Sequence, residues 1–415
     1  MLIQYSVKNY KSIKDEVIIN FSSLVNETDE KVLVNEEKTR LYKTIGLIGP
    51  NASGKSNILD SLFFSIRFIN LTIKRKESAR INVEPFMLDS ASRNDSTSFE
   101  YIFIEDGVKY VYGFSINSIQ VMEEYLLAYY SQRPVTLFER KSTRNEEYDF
   151  KEIDISIQSD ISKKTNSNRL YLSVAAEWGY ERVKPVYKWF ERMFRQYSDM
   201  NTSKVIEQVL NDDDLKNILM ESLSKADFNI SDLFIKNRRL EKQQRDALAT
   251  FFGQLMGESE FVPESIPEDT PVICVTHKSA CGEEYTLELT DDSSGTQDVI
   301  NDIAQYLYLR DGGGLIIEDE MGRNYHTKLT EYYINLFNND TRNKGKVQMI
   351  FSTHDSSVLN ILSPEQVYLV DKDENGGTYV KLLDDYIIRE KDNIELGYLK
   401  GRYGAIPNIK GELWG

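Results

Sequence analysis

Gly49-Pro50-Asn51-Ala52-Ser53-Gly54-Lys55-Ser56 is the stretch on which the reading of this chain turns. It matches G-x-x-x-x-G-K-[ST], a phosphate-binding loop, and its surroundings are those the motif needs. The apolar run Thr44 to Ile48 leads into it, and behind it Ile58, Leu59, Leu62, Phe63 and Ile66 recur at helical spacing. Glycines let backbone N–H groups converge on phosphate oxygens, and the N-terminus of the following helix adds a favourable field. Gly49, Asn51 and Gly54 are therefore expected to shape a cradle. Lys55 should reach the β- and γ-phosphates, and the Ser56 hydroxyl should be a ligand for Mg²⁺. The expected cofactors are ATP and Mg²⁺.

A second stretch, Gly314-Leu-Ile-Ile-Glu318-Asp319-Glu320, is an apolar run that ends in three carboxylates. A buried strand delivering acids at its C-terminal edge is where an α/β sheet places ligand chemistry. Asp319 is placed to hold the metal through water, and Glu320 to orient or deprotonate the attacking water. Alone, the stretch is a strand with an acidic turn. Together with the phosphate loop it forms a constellation.

Asp291-Asp-Ser293-Ser294-Gly295-Thr296-Gln297 precedes an amphipathic helix with Val299, Ile300, Ile303, Ala304 and Leu307 on one face. Taken by itself this is a capped helix. A further apolar run, Ile350-Phe-Ser-Thr-His354, ends in one of only three histidines. A lone His after a strand is usually structural, but the order of the motifs along the chain changes that reading.

That order resembles the ABC-type ATPase head of the SMC, RecF and OLD-like branch. Ser294-Gly295-Thr296-Gln297 looks like the family's serine–glycine signature, so Ser294, Gly295 and Gln297 are implied nucleotide contacts. His354 looks like the switch histidine, implied catalytic with Glu320, and His326 falls at a second family position. The start Val7-Lys-Asn-Tyr-Lys-Ser-Ile13 reads like that branch. More closely, the chain resembles bacterial AAA-family ATP-binding proteins of the RloA and AbiL kind. The supporting stretches are Glu84 to Asp89, Leu170 to Ala176, and the tail Gly397 to Pro407.

The resemblance implies that two heads sandwich nucleotide, the phosphate loop of one facing the signature of the other. A homodimer or higher homo-oligomer is expected. So is a separate effector partner, often a nuclease in relatives, in a phage-defence setting. Met321 to Tyr325 departs from the family's usual residues after Glu320, which bears on the hydrolysis rate and on signalling between subunits. The glutamine that couples to Mg²⁺ in relatives has no clear counterpart near Pro85-Phe86.

Composition sets the frame. The 415 residues are 40% hydrophobic and 28% charged, with a formal net charge of −16. That describes a globular chain with one compound domain or two, and not a general nucleic-acid binder, which needs clustered Lys and Arg. The short basic runs Lys74-Arg75-Lys76 and Lys236 to Arg239 read as solvated charge. No apolar run approaches the ~20 residues that span a bilayer, and the N-terminus lacks a signal-peptide pattern. Cys274 and Cys281 fit no disulfide framework or zinc spacing. The expected setting is cytoplasmic, with no membrane partner.

The fold class expected is α/β: an ABC-type P-loop head, a mixed sheet with an antiparallel β-subdomain, plus a helical insertion. Residues 1–182 form the first part of the head, 183–262 the insertion, and 263–415 the rest, with Val262 to Pro271 as the hinge. Ser6 to Phe21 reads as two strands, and Thr97 to about Phe138 as a meander turning at Glu105-Asp106-Gly107. Three functions compete: an ATP-gated switch that controls an effector, a non-hydrolysing scaffold held together by ATP, and an intrinsic metal-dependent nuclease. The nuclease reading needs Asp371, Asp373 and Glu374, where the Asn375-Gly376 turn makes a hairpin the simpler one.

Overall fold

The computed structural model describes residues 1–23, 33–36, 39–144, 146–151, 153–198, 202–226, 228–256, 268–279, 281–324, 326–338, 343, 346–389 and 391–407. Residues 262–267 of the expected hinge lie outside the described residues, as does Tyr325. The chain divides into two compact units, residues 1–198 with 309–415, and residues 199–308.

The first unit opens with β1 (Leu2–Lys8) and β2 (Val17–Asn20), paired antiparallel, as the alternation of Val17, Ile19 and Phe21 predicts. β3 (Leu33–Glu36) and β4 (Thr39–Tyr42) pair with each other. β5 (Thr44–Ile48) follows, buried along its whole length. α1 (Lys55–Leu71) buries Ile58, Leu59, Leu62 and Ile66, the face predicted from their spacing. After α2 (Ser90–Asn94) come the meander strands β6 (Thr97–Glu105), β7 (Val108–Ile116) and β8 (Val121–Tyr129). β9 (Val135–Lys141) and β10 (Tyr148–Asp149) complete it. Asp106 and Gly107, at φ 49° and 75°, supply the two left-handed residues of the tight β6–β7 turn. Together these strands form one antiparallel sheet in the order β10-β9-β8-β7-β6-β1-β2.

α3 (Ile155–Ser162), α4 (Tyr171–Glu177) and α5 (Lys184–Ser198) complete this stretch. Trp189 of α5 stacks on Phe103 at 4.3 Å, and Phe190 meets Tyr101 edge-on at 4.9 Å. Burying such side chains stabilises by roughly 1.5–3 kcal/mol each, so α5 packs into the core of the first unit. The stretch Leu170 to Ala176 is explained by one buried carboxylate. Glu124 of β8 accepts the N–H groups of Tyr171 (2.6 Å) and Leu172 (2.9 Å), capping α4.

The second unit runs through α6 (Thr202–Leu210), α7 (Asp213–Lys225), β11 (Ile230–Arg239) and α8 (Lys242–Met256). It continues through β12 (Asp269–Lys278), β13 (Glu284–Glu288) and α9 (Ser294–Leu309). β11, β12 and β13 form an antiparallel sheet. The stretch expected to be a helical insertion therefore contains a strand. Ile230, Phe234 and Ile235 favour extended backbone, and unbroken pairing of Asp232 to Arg239 with β12 outweighs the charged texture. The bounds of the two units also differ from the expected boundaries: α5 lies with the first unit, and residues 268–308 with the second.

The chain returns to the first unit with β14 (Leu315–Glu318), α10 (Thr327–Asn338), β15 (Gln348–Thr353), β16 (Val367–Lys372), β17 (Thr378–Leu382) and α11 (Ile394–Leu399). The sheet order is β14-β15-β5-β16-β17, with the first four strands parallel and β17 antiparallel to β16. The fold is mixed α/β. Among the described residues no helix is long and apolar enough to cross a membrane.

Candidate functional site

Register brings the sequence motifs to one edge. Ile48 of β5 lies beside Thr353 of β15 and Leu369 of β16, and Glu318 of β14 lies beside Phe351. The phosphate loop, His354 and the Asp319-Glu320 pair thus leave the C-terminal ends of neighbouring parallel strands, the usual place for ligand chemistry in such sheets.

The loop needs its glycines for space. A Cβ on Gly49 would lie 2.1 Å from the Val370 carbonyl oxygen. Gly54 has φ +107°, and a Cβ there would lie 2.0 Å from Thr378 Oγ1 and 2.9 Å from Ser12 Oγ. Behind Gly54 runs a chain of hydrogen bonds. Asn57 Nδ2 donates to Ser12 Oγ (2.6 Å), the Ser12 hydroxyl meets Thr378 Oγ1 (2.8 Å), and Thr378 Oγ1 donates to Ser53 O (2.9 Å). Ser12 and Thr378 are parts of the site that sequence reasoning missed. The only signal was Ser12 within Val7 to Ile13.

Lys55 Nζ donates to the carbonyls of Gly49 (2.8 Å) and Pro50 (2.9 Å) in its own loop. Burial lowers the pKa of this ammonium, while Asp319 and Glu320 raise it. The Ser53 hydroxyl is buried and has no hydrogen-bond partner among the described residues, and Ser56 is exposed. A buried unpaired hydroxyl, a lysine at the loop and a glycine-tight backbone form a set of donors that phosphate oxygens fit.

Ser352, fully buried on β15, organises the acids. Its Oγ donates to Asp319 Oδ1 and accepts the Glu320 N–H at 2.9 Å. Glu320 has φ 56°, and its carboxylate is held by Arg323 Nη1 at 2.7 Å. His354 is exposed and hydrogen-bonded to the Gly49 backbone. Partial shielding of its ring from water and the charge of Lys55 push its pKa below the ordinary value, against upward pulls from Glu320, the Gly49 backbone and Asp319. It lines an open cleft of ≈ 1120 Å³ with Gly49, Pro50, Asn51 and the tail residues Tyr398, Leu399, Ile406 and Pro407. Among the described residues no three His, Cys, Asp or Glu side chains form a metal-holding group. Hydroxyl and carboxylate oxygens, the donors that Ser56 and Asp319 carry, are of the type Mg²⁺ takes alongside phosphate oxygens and water.

Ser294, Gly295 and Gln297 belong to the second unit, at the start of α9. Ser293 caps this helix: its Oγ accepts the Thr296 N–H at 3.2 Å. Gln297 Nε2 turns back onto the carbonyls of Asp292 (2.8 Å) and Thr290 (3.3 Å). His277, which had no role in the sequence reading, bonds Asp292 Oδ2 at 2.7 Å.

Other candidates have local structural work. His326 Nδ1 accepts the Lys328 N–H at 3.1 Å, at the start of α10. Asp373 Oδ1 accepts the N–H groups of Asn375 (2.8 Å) and Gly377 (2.7 Å) in the β16–β17 hairpin turn. Near Pro85, Phe86 N–H bonds Asn9 Oδ1 at 3.0 Å and Lys11 N–H bonds Glu84 O at 2.8 Å, stitching this stretch to the N-terminal motif. In the basic runs, Arg238 pairs with Glu288 and Arg239 with Glu268. Arg75 lies 5.7 Å over the Phe68 ring. Both cysteines are free.

Residues 45–360 match the family described as "AAA domain, putative AbiEii toxin, Type IV TA system". The chain belongs to that family. This AAA domain takes in β5, the phosphate loop, both acids and His354. Among curated proteins no relative matches. Solved structures similar to the chain include the SMC head domain from Thermotoga maritima, at 13% identity and a TM-score of 0.36, covering 92% of this chain and 98% of that one. Another is the Smc head domain with an extended coiled coil, bound to the C-terminal domain of ScpA, from Pyrococcus furiosus. It shows 14% identity and a TM-score of 0.36, covering 92% and 95% of the two chains.

Proposed function

We propose that this AAA-family chain is an ATP-binding and ATP-hydrolysing switch of the ABC type, acting as a homodimer or larger homo-oligomer. One observation carries the reading. The phosphate loop with Lys55, the Asp319-Glu320 pair and His354 leave the C-terminal ends of the neighbouring parallel strands β5, β14 and β15 of one sheet. In this reading Gly49 to Ser56 bind the phosphates, and Lys55 leaves its loop carbonyls to pair with phosphate oxygens. Ser56 and Asp319 hold Mg²⁺, which when bound neutralises phosphate charge. Glu320 orients or deprotonates the attacking water, and His354 stands at the terminal phosphate. Ser294, Gly295 and Gln297 of a second copy complete the site.

The kinship with RloA- and AbiL-like proteins, a cytoplasmic setting, and control of a separate effector in phage defence belong to the same proposal. The description of the matched family speaks of a toxin and a type IV TA system, which accords with a chain that works beside a partner. A second reading, a non-hydrolysing scaffold held together by ATP, draws on the 2.7 Å pair between Arg323 and Glu320. An arginine on the candidate base occupies a carboxylate oxygen that would otherwise face the attacking water.

The test is ATP turnover and solution mass with and without ATP·Mg²⁺, for wild type beside Glu320→Gln and Lys55→Ala. Turnover in wild type, a nucleotide-held assembly in Glu320→Gln and no binding in Lys55→Ala are expected. Assembly without turnover in wild type would favour the scaffold. Nucleotide binding unaffected by Lys55→Ala would sink both readings.

A further inference from the structure

The proposed function leaves the tail stretch Gly397 to Pro407 without a role, yet the structure folds it as a defined element. Asn393 caps α11 by accepting the Leu396 N–H at 2.7 Å. Tyr398 OH donates to Ala405 O at 2.8 Å, and Tyr386 OH to Tyr403 O at 2.8 Å. Arg402 ties Asp392 (2.8 Å) to Ile387 O (2.9 Å).

This element is fastened to the segment that leaves His354. Glu395 Oε1 accepts the Ser356 hydroxyl at 2.9 Å, and its Oε2 accepts Asn360 Nδ2 at 2.7 Å. The backbone between is short and already pinned. Asp355 N–H donates to Thr353 Oγ1 at 3.1 Å, and Asp355 Oδ1 accepts the Ser357 N–H at 2.9 Å. His354 therefore sits between strand β15, which fixes its N-terminal side, and a turn whose far side is gripped by Glu395. Beyond that grip, the tail's Tyr398 and Leu399 line the same cleft as the His354 ring.

We propose that Glu395 is a positioning residue for His354: its two-armed grip on Ser356 and Asn360 makes docking of the tail and placement of the imidazole a single arrangement. The proposal rests on the reading of the cleft as the nucleotide site. A carboxylate accepting two side-chain donors is a strong, directional tether. An imidazole displaced by a fraction of an ångström serves a bound nucleotide poorly at the moment of reaction, although the loop that binds it is untouched.

The experiment compares steady-state ATP turnover by the full chain in four forms: wild type, Glu395→Ala, the donor-side variant Ser356→Ala/Asn360→Ala, and all three changes together. Glu395→Ala should lower kcat about tenfold with KM for MgATP within about twofold. The donor-side variant should match it, and the combined variant should be no worse, because both sides remove one tether. Glu395→Gln keeps acceptor oxygen for one donor and should recover part of kcat. Wild-type kcat in the donor-side variant overturns the proposal, whatever Glu395→Ala does to the unfolding midpoint. So do additive losses, or a raised KM with kcat intact. Should wild type show no turnover, the hydrolysis reading fails by itself. The tether is then read from the NMR titration of His354, whose midpoint must move in Glu395→Ala, and an unmoved midpoint overturns it.

Discussion

Ser352 donates its hydroxyl hydrogen to Asp319, and the same oxygen accepts the N–H of Glu320 at 2.9 Å. One buried side chain of β15 thus fixes both acids that leave β14, and Met321 N–H is held by the Ser352 carbonyl at 2.8 Å. The positive φ of Glu320 is a conformation that such over-determined surroundings can maintain.

Removing that hydroxyl tests the arrangement. Ser352→Ala should cost about 1–3 kcal/mol, since it leaves the Glu320 N–H without its partner. Denaturant unfolding reads the loss. ATP turnover should fall together with the Mg²⁺ dependence, and a variant with unchanged stability and turnover would show that the acids hold their place without Ser352.

Gly54 meets two separate constraints, its positive φ and the Thr378 hydroxyl. Gly54→Ala should destabilise by roughly 1–3 kcal/mol from backbone conformation alone, with nucleotide binding lost. Adding Thr378→Ala relieves only the clash, so the double variant should recover part of the stability and little binding. Full recovery in the double variant would place the whole cost in the clash.

Arg323 is paired with the carboxylate that the switch reading assigns as base. Arg323→Ala frees Glu320, and turnover should rise by about two- to tenfold. The pair is largely exposed, so stability should stay within about 0.5 kcal/mol. Unchanged turnover would mean that the pair opens whenever nucleotide binds.

His354 should titrate below the ordinary histidine value of ~6.5, because partial shielding from water and Lys55 disfavour its charged form. The sign follows directly: a folded pKa below the unfolded one favours the neutral ring. Its contribution to stability is present above ~6.5 and is lost as pH falls through the lowered folded value. NMR titration of the ring protons, assigned by His354→Gln, reads this. Lys55→Met should raise the midpoint by removing a neighbouring positive charge, and a midpoint that stays put would remove Lys55 from the account.

Local pattern carried much of this fold. Thr44 to Ile48 reads as a buried strand because its residues are apolar and a glycine loop follows. The face of α1 and the Asp106-Gly107 turn read equally well, from helical spacing and from the demand for two left-handed residues. β11 was misread because charges at its C-terminal half, Lys236 to Arg239, resemble a solvated helix; pairing with β12 decides the matter, and the paired residues lie 30 to 47 positions apart. α5 was assigned to the insertion by its helical spacing, which says nothing about which core receives Trp189 and Phe190.

By itself the sequence determined the phosphate loop, the apolar strands that end in acids and in His354, and the order of these motifs. Each depends on neighbouring residues, whose spacing sets backbone direction and the chemistry of the strand end. Only the tertiary structure decided what backs them: Thr378 against Gly54, Ser352 between Asp319 and Glu320, Glu395 on the turn after His354. Serine, threonine and glutamate in those places leave no periodic trace, because a hydrogen bond depends on which groups meet in space. Ser12 and Thr378 meet across 366 positions of chain, a distance over which no local pattern extends.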